Sequence, residues 1–264
     1  KLSLIQSDIA WNEPRKSLTG CYALAERAIE QGGKLLVFPE MFPCGFSMPV
    51  GDEARAYGDE GKAFLKELAA KKSVHAVGSV PEVDADGSLY NTAWLFRPNG
   101  ESVSYRKIHL FSYGDETSRY SGGKQLLSTT VEGMRCSIFI CYDLRFTLPF
   151  FSLAQETDIF IIMANWPASR REHWLTLLRA RAIEYQCYVA GVNRVGSGGG
   201  LSYSGDSALF APDGKQLVVL GDQAEVATAE VDPDAVASWR ESFPALRDRQ
   251  LGLYSTPQFI RGRT

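Results

Sequence analysis

The chain has 264 residues, of which 45% are hydrophobic and 22% charged, a composition typical of a globular protein with a large core. Its formal net charge is −3, and no dense run of Lys and Arg occurs, so the charge pattern gives no support to a nucleic-acid partner. No apolar stretch approaches the roughly 20 residues that a membrane-spanning helix needs, and we therefore expect no membrane association.

Strand and helix patterns alternate through the first half of the chain. The predicted strands cover residues 2–9, 35–38 and 74–80, followed by a hairpin of residues 89–97 and 101–106. The predicted helices cover residues 14–31 and 61–72. Residues 35–38 are wholly apolar, as in a strand that is buried on both faces. Residues 107–123 are predicted to be irregular.

The second half continues the alternation and ends in several short strands. The predicted strands cover residues 125–131, 135–141, 159–164, 188–193, 207–210, 216–220 and 224–231, and the predicted helices cover residues 148–156 and 171–185. The glycine-rich residues 196–200 are predicted to form a mobile loop that serves as a flap over the active site. This strand count is too high for one doubly wound sheet. It predicts an α/β fold with two mixed sheets and outer helices, a four-layer αββα sandwich.

The five cysteines are odd in number and irregularly spaced, and no Cys-x-x-Cys pair occurs. With only three His in the chain, we expect free thiols, no metal site and a reducing, cytoplasmic location. No change in composition and no linker divides the sequence, which predicts a single domain over residues 1–264.

Three chemically active side chains follow predicted strands. Glu40 comes after an apolar strand and Pro39, Lys107 after the hairpin, and Cys141 after the apolar run 138–140. Open α/β sheets bind ligands at such strand ends, although each residue alone equally fits a solvated charge or a core thiol. A carboxylate can take the thiol proton and return it to a leaving amine. An ammonium lowers the pKa of a nearby thiol and stabilises a tetrahedral oxyanion, and the thiolate forms a thioester that water hydrolyses.

These segments resemble the nitrilase superfamily of carbon–nitrogen hydrolases. The matching segments are Phe38-Pro39-Glu40-Met41-Phe42, Tyr105-Arg106-Lys107-Ile108-His109-Leu110-Phe111 and Cys141-Tyr142-Asp143-Leu144-Arg145-Phe146. The resemblance spans essentially the whole chain and implies the αββα fold, with Glu40 as general base, Lys107 as oxyanion stabiliser and Cys141 as nucleophile. It further implies that Glu116 supports Lys107 or positions the substrate amide, and that the backbone N–H of Tyr142 binds the oxyanion. It implies no cofactor or metal and a homodimer or higher homo-oligomer, with the tail from about residue 239 packed on a neighbouring subunit.

The segment Asn165-Trp166-Pro167-Ala168-Ser169-Arg170-Arg171-Glu172-His173-Trp174 is similar to the omega-amidase branch. That branch hydrolyses the terminal amide of 2-oxo dicarboxylic monoamides such as 2-oxoglutaramate to acid and ammonia. We therefore predict a small amide substrate that carries a carboxylate, because Arg binds carboxylates bidentately. The candidate substrate-binding residues are Phe42, Arg145, Trp166, Arg170, Arg171 and His173. For Arg145, a salt bridge that braces the Cys141 loop is the favoured alternative.

Three other residues carry narrower expectations. Tyr203 either walls the pocket or packs in the core. His109 is expected to be structural, because by analogy with the family Glu40 already provides the base. Tyr185 stands where family members commonly carry Asn, and the change is expected to affect packing.

Two other functions remain open from the sequence. The first is another enzyme on the same fold, an N-carbamoyl amino-acid amidohydrolase or another short-chain amidase. The second is a catalytically silent scaffold subunit, against which the complete Glu, Lys and Cys set argues.

Overall fold

Two six-stranded mixed sheets lie face to face at the centre of the protein, in a computed structural model that describes residues 1–250. The strands of the first sheet are β1 (Leu2–Gln6), β2 (Leu35–Val37), β3 (His75–Val83), β4 (Leu89–Phe96), β5 (Ser102–Arg106) and β14 (Glu225–Ala229). Their spatial order is β14-β1-β2-β3-β4-β5. The neighbours β1, β2 and β3 are parallel, and the other pairs are antiparallel.

The second sheet repeats this plan. Its strands are β6 (Ser128–Val131), β7 (Met134–Ile140), β8 (Ile159–Met163), β9 (Tyr188–Val192), β12 (Ala208–Phe210) and β13 (Gln216–Val219). Their spatial order is β13-β12-β9-β8-β7-β6, and β7, β8 and β9 are the parallel strands. Because parallel neighbours end at the same edge, each sheet presents the carboxyl ends of three strands together.

Helices cover the outer faces of both sheets. They are α1 (Pro14–Glu30), α2 (Gly51–Lys72), α3 (Thr147–Leu153), α4 (Arg171–Tyr185) and α5 (Pro233–Ser242). The side chains of the first sheet alternate as strand geometry requires: Leu4 and Val37 pack between the sheets, whereas Ile5 and Leu36 pack with residues of α1 and α2. The predicted four-layer αββα sandwich is thus confirmed.

The second helix begins ten residues earlier than predicted. Glycine is a poor helix former, so Gly58 and Gly61 obscure the helical pattern in the sequence. In the structure both glycines let α2 lie close against β3. An added Cβ would lie 2.0 Å from the Pro81 carbonyl oxygen at Gly58, and 2.6 Å from the Val80 side chain at Gly61. The prediction was wrong here because packing outweighs helix propensity.

The glycine-rich segment 196–200 is not an open loop but part of a hairpin, formed by β10 (Val195–Gly198) and β11 (Leu201–Ser204). Gly199 and Gly200 make the turn with φ of 58° and 77°, backbone angles that favour glycine. An added Cβ at Gly198 would lie 2.3 Å from the Trp11 ring, so the missing side chains also let this ring pack on the hairpin. Glycine content concealed the strands, whose pattern carries too few side chains to be recognised.

The described part of the tail from residue 239 packs on its own chain. Trp239 and Arg240 lie in α5, and Arg240 donates hydrogen bonds to the carbonyl oxygens of Thr157 (2.7 Å) and Tyr185 (3.0 Å). Contact of the tail with a neighbouring subunit stays a prediction, and residues 251–264 lie outside the described part. Within residues 1–250, no helix is long and apolar enough to cross a membrane.

Candidate active site

The three candidate catalytic side chains meet in one pocket at the carboxyl ends of the strands. Glu40 lies three residues after β2, Lys107 directly after β5, and Cys141 directly after β7. All three line one pocket, together with Asn165 after β8 and Tyr203 of β11. Both sheets therefore contribute to one site, as the strand-end pattern in the sequence predicted.

A buried ion cluster forms the floor of this pocket. The Lys107 ammonium lies 3.0 Å from Glu40 Oε1 and 2.9 Å from Glu116 Oε2, and none of the three residues is more than 1% exposed. Burial opposes the charge on Lys107, but the carboxylates of Glu116 and Glu40 outweigh it and hold the Lys107 pKa above its usual value. Burial raises the pKa of Glu116 while Lys107 partly offsets the effect. The two acidic side chains therefore favour the ammonium form of Lys107.

The Glu40 carboxylate is held by three donors. Its Oε1 accepts from Lys107 Nζ and from Asn91 Nδ2 at 2.8 Å, and its Oε2 accepts from the backbone N–H of Asn165 at 2.8 Å. Asn91 is oriented in turn by the Ser79 hydroxyl, which donates to its Oδ1 at 2.8 Å. Because Oε1 has two donors and Oε2 only one, Oε2 is the oxygen with room for a further proton.

The Cys141 loop is held in a strained conformation by one buried carboxylate. Cys141 has a φ of 45°, a left-handed conformation that costs a non-glycine residue about 1–3 kcal/mol. The Asp143 side chain accepts from the backbone N–H groups of Ile140 (3.1 Å) and His109 (2.9 Å). It also bonds the Tyr105 hydroxyl and His109 Nδ1, both at 2.8 Å. His109 is thus structural, as expected, and Asp143 fixes the turn that presents the thiol.

The pKa of Cys141 is raised, whereas a nearby ammonium alone would lower it. Lys107 lowers the thiol pKa as predicted, but burial and the negative charge of Glu40 outweigh it. The pKa of Cys141 therefore lies well above its usual value, and the resting side chain is a neutral thiol. A nucleophilic thiolate then has to form by proton transfer at the moment of attack, which requires a base within reach.

Two arginines stand at the mouth of the pocket. The Arg145 guanidinium lies 4.7 Å from the centre of the Trp166 ring, and that of Arg170 lies 5.5 Å from the Phe111 ring. Arg145 also contacts His173 Nδ1 at 3.2 Å. In the described part of the chain neither arginine forms an ion pair with a carboxylate. Their donors are available to an anionic group that enters the pocket.

Comparison with known proteins identifies the family. The sequence profile of the carbon-nitrogen hydrolase family matches residues 1–241. The chain belongs to the carbon–nitrogen hydrolase family. It is 34% identical over 261 residues to the 2-oxoglutaramate amidase of Bacillus subtilis, a match that covers 96% of this chain and 98% of the relative. It is 36% identical over 253 residues to the omega-amidase YafV of Escherichia coli strain K12, with 94% and 96% covered.

A solved structure supports the same assignment. A CN-hydrolase superfamily protein from Xanthomonas campestris, solved with an arsenic adduct in its active site, superposes with a TM-score of 0.86 and 33% identity. The superposition covers 99% of this chain and 98% of that protein. The present hydrolase thus acts on carbon–nitrogen bonds, and its fold, thiol and relatives make it a cysteine amidase.

Two of the predicted substrate contacts of this hydrolase do not line the pocket. Phe42 is fully buried away from the pocket, with its ring 5.4 Å from Phe38 and 5.7 Å from Phe64. Its closeness to Glu40 in sequence misled the prediction, because the chain turns sharply between them. Arg171 bonds both carboxylate oxygens of Asp206 at 2.8 Å and does not line the pocket.

Two further predictions need adjustment. His173 contacts Arg145 and does not itself line the pocket. Among residues 1–250 Arg145 has no salt-bridge partner, and Asp143 holds the Cys141 loop of the hydrolase, so the favoured alternative for Arg145 was wrong. The predicted contact Trp166 does line the pocket, as does Tyr203.

Sequence reasoning missed two pocket-lining aromatic residues and two amides. Phe46 and Phe111 supply the apolar wall that Phe42 was expected to form. Asn91 and Asn165 hold Glu40. Asn165 comes directly after a predicted strand, the signal that located Cys141, whereas Asn91 lies within a strand and carries no such signal. Tyr185 packs parallel to Phe150 and donates to the Thr147 carbonyl oxygen, so its contacts are packing contacts. Within residues 1–250, no group of three or more His, Cys, Asp and Glu is arranged to hold a metal ion.

Proposed function

We propose that this hydrolase is an omega-amidase, which hydrolyses the terminal amide of a small substrate with a free carboxylate, such as 2-oxoglutaramate. The observation that carries the proposal is the pair of arginines, Arg145 and Arg170, at the mouth of the Cys141 pocket. The relatives in Bacillus subtilis and Escherichia coli, named as enzymes of this activity, support it.

The reaction begins with proton transfer from the thiol. Cys141 Sγ attacks the amide carbonyl carbon while Glu40, through its less occupied Oε2, accepts the thiol proton. The carbonyl oxygen becomes an oxyanion, which the Lys107 ammonium and the Tyr142 backbone N–H stabilise. The Tyr142 N–H is suited to this role because it lies in the first turn of a 3₁₀ helix (Cys141–Arg145), where N–H groups lack helical acceptors.

Collapse of the tetrahedral intermediate breaks the carbon–nitrogen bond. Glu40 returns its proton to the leaving nitrogen, ammonia departs, and the acyl group stays on Cys141 as a thioester. Water then attacks the thioester carbonyl carbon as Glu40 removes a proton from the water. The carbon–sulfur bond of this second tetrahedral intermediate breaks, and Glu40 returns the proton to Sγ. Release of the acid restores the neutral thiol.

Glu116 supports Lys107 through this cycle. When Glu40 accepts the thiol proton it becomes neutral and no longer balances the ammonium. Glu116, bonded to Lys107 Nζ and to the backbone N–H of Phe111 at 2.6 Å, remains in place. The ammonium is therefore kept charged and oriented while the oxyanion forms.

The carboxylate of the substrate distinguishes this proposal from a general amidase. A hydrogen bond between charged groups is worth roughly 1.5–3 kcal/mol, which corresponds to about ten- to a hundredfold in kcat/KM. We expect 2-oxoglutaramate to exceed butyramide, a neutral amide of similar reach, by at least that factor in an ammonia-release assay. Equal kcat/KM values for the two would contradict the omega-amidase assignment and leave the cysteine amidase intact.

An N-carbamoyl amino acid also carries a carboxylate and is the second candidate substrate, favoured by the same arginines. Its hydrolysis releases carbon dioxide together with ammonia. Including such a compound in the assay, with carbon dioxide measured, separates the two substrate classes.

We also infer that two copies of the chain associate through α3 and α4. The helices α3 and α4 contact each other, Leu148 of α3 is 68% exposed and Ile183 of α4 is 53% exposed, and exposed large apolar side chains are typical of interfaces. Light scattering on the full chain tests this: a dimer mass supports it and a monomer mass contradicts it.

A further inference from the structure

Arg194 carries a buried charge that the catalytic scheme does not use. It lies two residues after β9 and is 0% exposed. Its Nε donates to the Val195 carbonyl oxygen at 3.0 Å, and its Nη2 donates to those of Ile9 at 2.8 Å and Ser197 at 3.1 Å. One guanidinium thus joins the start of the β10–β11 hairpin to the segment that follows β1.

This charge is poorly compensated. Within residues 1–250 its one carboxylate partner is Asp8 at 3.4 Å, whose side chain is 63% exposed and therefore well screened by water. Arg194 Nη1 is buried and has no hydrogen-bond partner among the described residues. A buried charge with an unpaired donor is expensive, and methionine or leucine of similar volume would avoid that cost. Filling the core therefore does not explain why this position carries a guanidinium.

The contact between the Arg194 guanidinium and Tyr203 supplies such a reason. Its guanidinium carbon lies 4.5 Å from the centre of the Tyr203 ring, within the range of a cation–π contact. Tyr203 is 6% exposed and lines the same pocket as Cys141 and Arg170. Leu201 of the same strand, β11, also lines this pocket. Arg194 thus contacts the hairpin residue Tyr203, which forms part of the pocket wall.

We propose that Arg194 is a positioning residue for amide hydrolysis, which fixes Tyr203 and the β10–β11 hairpin as the wall that receives the non-reacting part of the substrate. The inference rests on the amidase activity but not on the identity of the amide, since any amide that is turned over can serve as the probe. Because this wall contacts the substrate away from the scissile bond, its displacement should weaken binding more than chemistry.

A double-mutant cycle tests whether Arg194 acts through Tyr203. Arg194→Met and Tyr203→Leu should each raise KM about tenfold, the equivalent of about 1.4 kcal/mol, with little change in kcat. The KM of the double variant should equal that of the more affected single variant, because the second substitution removes a contact that the first has already disrupted. A rise in KM of about a hundredfold in the double variant, as expected for two independent effects, would overturn the proposal. An unchanged KM in Arg194→Met would overturn it as well. Should Arg194→Met fail to fold, Arg194→Lys takes its place in the same cycle, since it keeps the charge but loses the carbonyl contacts.

Arg240 provides the matched control. It also bonds backbone carbonyl oxygens, those of Ala154, Thr157, Tyr185 and Gln186, but does not line the pocket. Arg240→Met should lower the thermal midpoint and leave KM unchanged. A rise in KM equal to that of Arg194→Met would show that general loosening explains both and would overturn the proposal.

A second readout does not depend on turnover. The other four cysteines are buried, so N-ethylmaleimide labels Cys141 selectively in the folded protein, and intact mass counts the adducts. A displaced wall should make Cys141 of Arg194→Met react several times faster than that of the wild type, with Arg240→Met unchanged. Equal rates in all three proteins would contradict the proposal. If no amide were hydrolysed, the proposed function would fail, and this labelling result would still decide the role of Arg194.

Discussion

The charged side chains on the floor of the pocket are buried and paired, whereas those at its mouth have no carboxylate partner among residues 1–250. On the floor Glu40, Lys107 and Glu116 are at most 1% exposed, and each charge faces an opposite one. At the mouth Arg145 and Arg170 lie over aromatic rings and, among the described residues, have no carboxylate partner. Buried charges must be paired, whereas charges in contact with water can exchange it for a ligand. Under the proposed function, the floor determines the reaction and the mouth determines the substrate.

The floor should show the largest effects. Glu40→Gln keeps the shape of the side chain but removes the base, and loss of a general base typically costs on the order of 10²–10⁴ in rate. We expect a fall of that size in kcat with the thermal midpoint little changed. A fall in kcat/KM of less than about tenfold, well below that range, would show that Glu40 is not the base.

Lys107→Met removes one oxyanion donor, an effect of about 10²–10³ on kcat. It also leaves two buried carboxylates without their cation, so the variant should be much less stable. The double variant Lys107→Met/Glu116→Gln separates these effects, because it removes one excess charge and should regain stability without regaining rate. Recovery of activity in the double variant would contradict the oxyanion role.

The mouth should show smaller and more selective effects. Arg170→Met should lower kcat/KM for 2-oxoglutaramate about ten- to a hundredfold, the worth of a charge-assisted hydrogen bond, and leave butyramide unaffected. Arg171→Met is the matched control, since Arg171 bonds Asp206 away from the pocket. If the two variants lost the same activity, or if Arg170→Met affected both amides equally, the mouth would not select the carboxylate.

The smallest effects should appear as shifts in the pH dependence of Cys141 alkylation. Burial and the Glu40 charge hold the Cys141 pKa well above its usual value, so alkylation by iodoacetamide should still rise with pH above 9. Glu40→Gln removes a negative charge that disfavours the thiolate, and its profile should shift to lower pH. Lys107→Met removes a positive charge that favours the thiolate, and its profile should shift to higher pH. Shifts of the opposite sign would refute this electrostatic account.

Sequence reasoning located the floor better than the mouth, for physical reasons. Glu40, Lys107 and Cys141 each follow a predicted strand, and the carboxyl ends of these strands meet in space, so their positions in the chain revealed the site. Asn91 escaped notice because its role depends on register: it pairs with Pro81 in the adjacent strand, which places its amide under Glu40.

The mouth depends on local turns that sequence patterns do not specify. Arg170 and Arg171 are consecutive, but the helix α4 begins at Arg171 and directs the two side chains to different surroundings. Phe42 is lost from the site because Met41 adopts a φ of 45°, which turns the chain away after Glu40. The hairpin that carries Tyr203 was hidden by glycines that form its turn and let Trp11 pack on it.

The most direct test of the floor chemistry is intact-protein mass spectrometry on enzyme quenched with acid during turnover of 2-oxoglutaramate. We expect a fraction of the wild-type protein to gain the mass of the acyl group, with peptide mapping placing it on Cys141. Cys141→Ala should fold, gain no mass and release no ammonia. Ammonia release at the wild-type rate by Cys141→Ala, with no acyl adduct on the wild-type enzyme, would contradict the thioester mechanism.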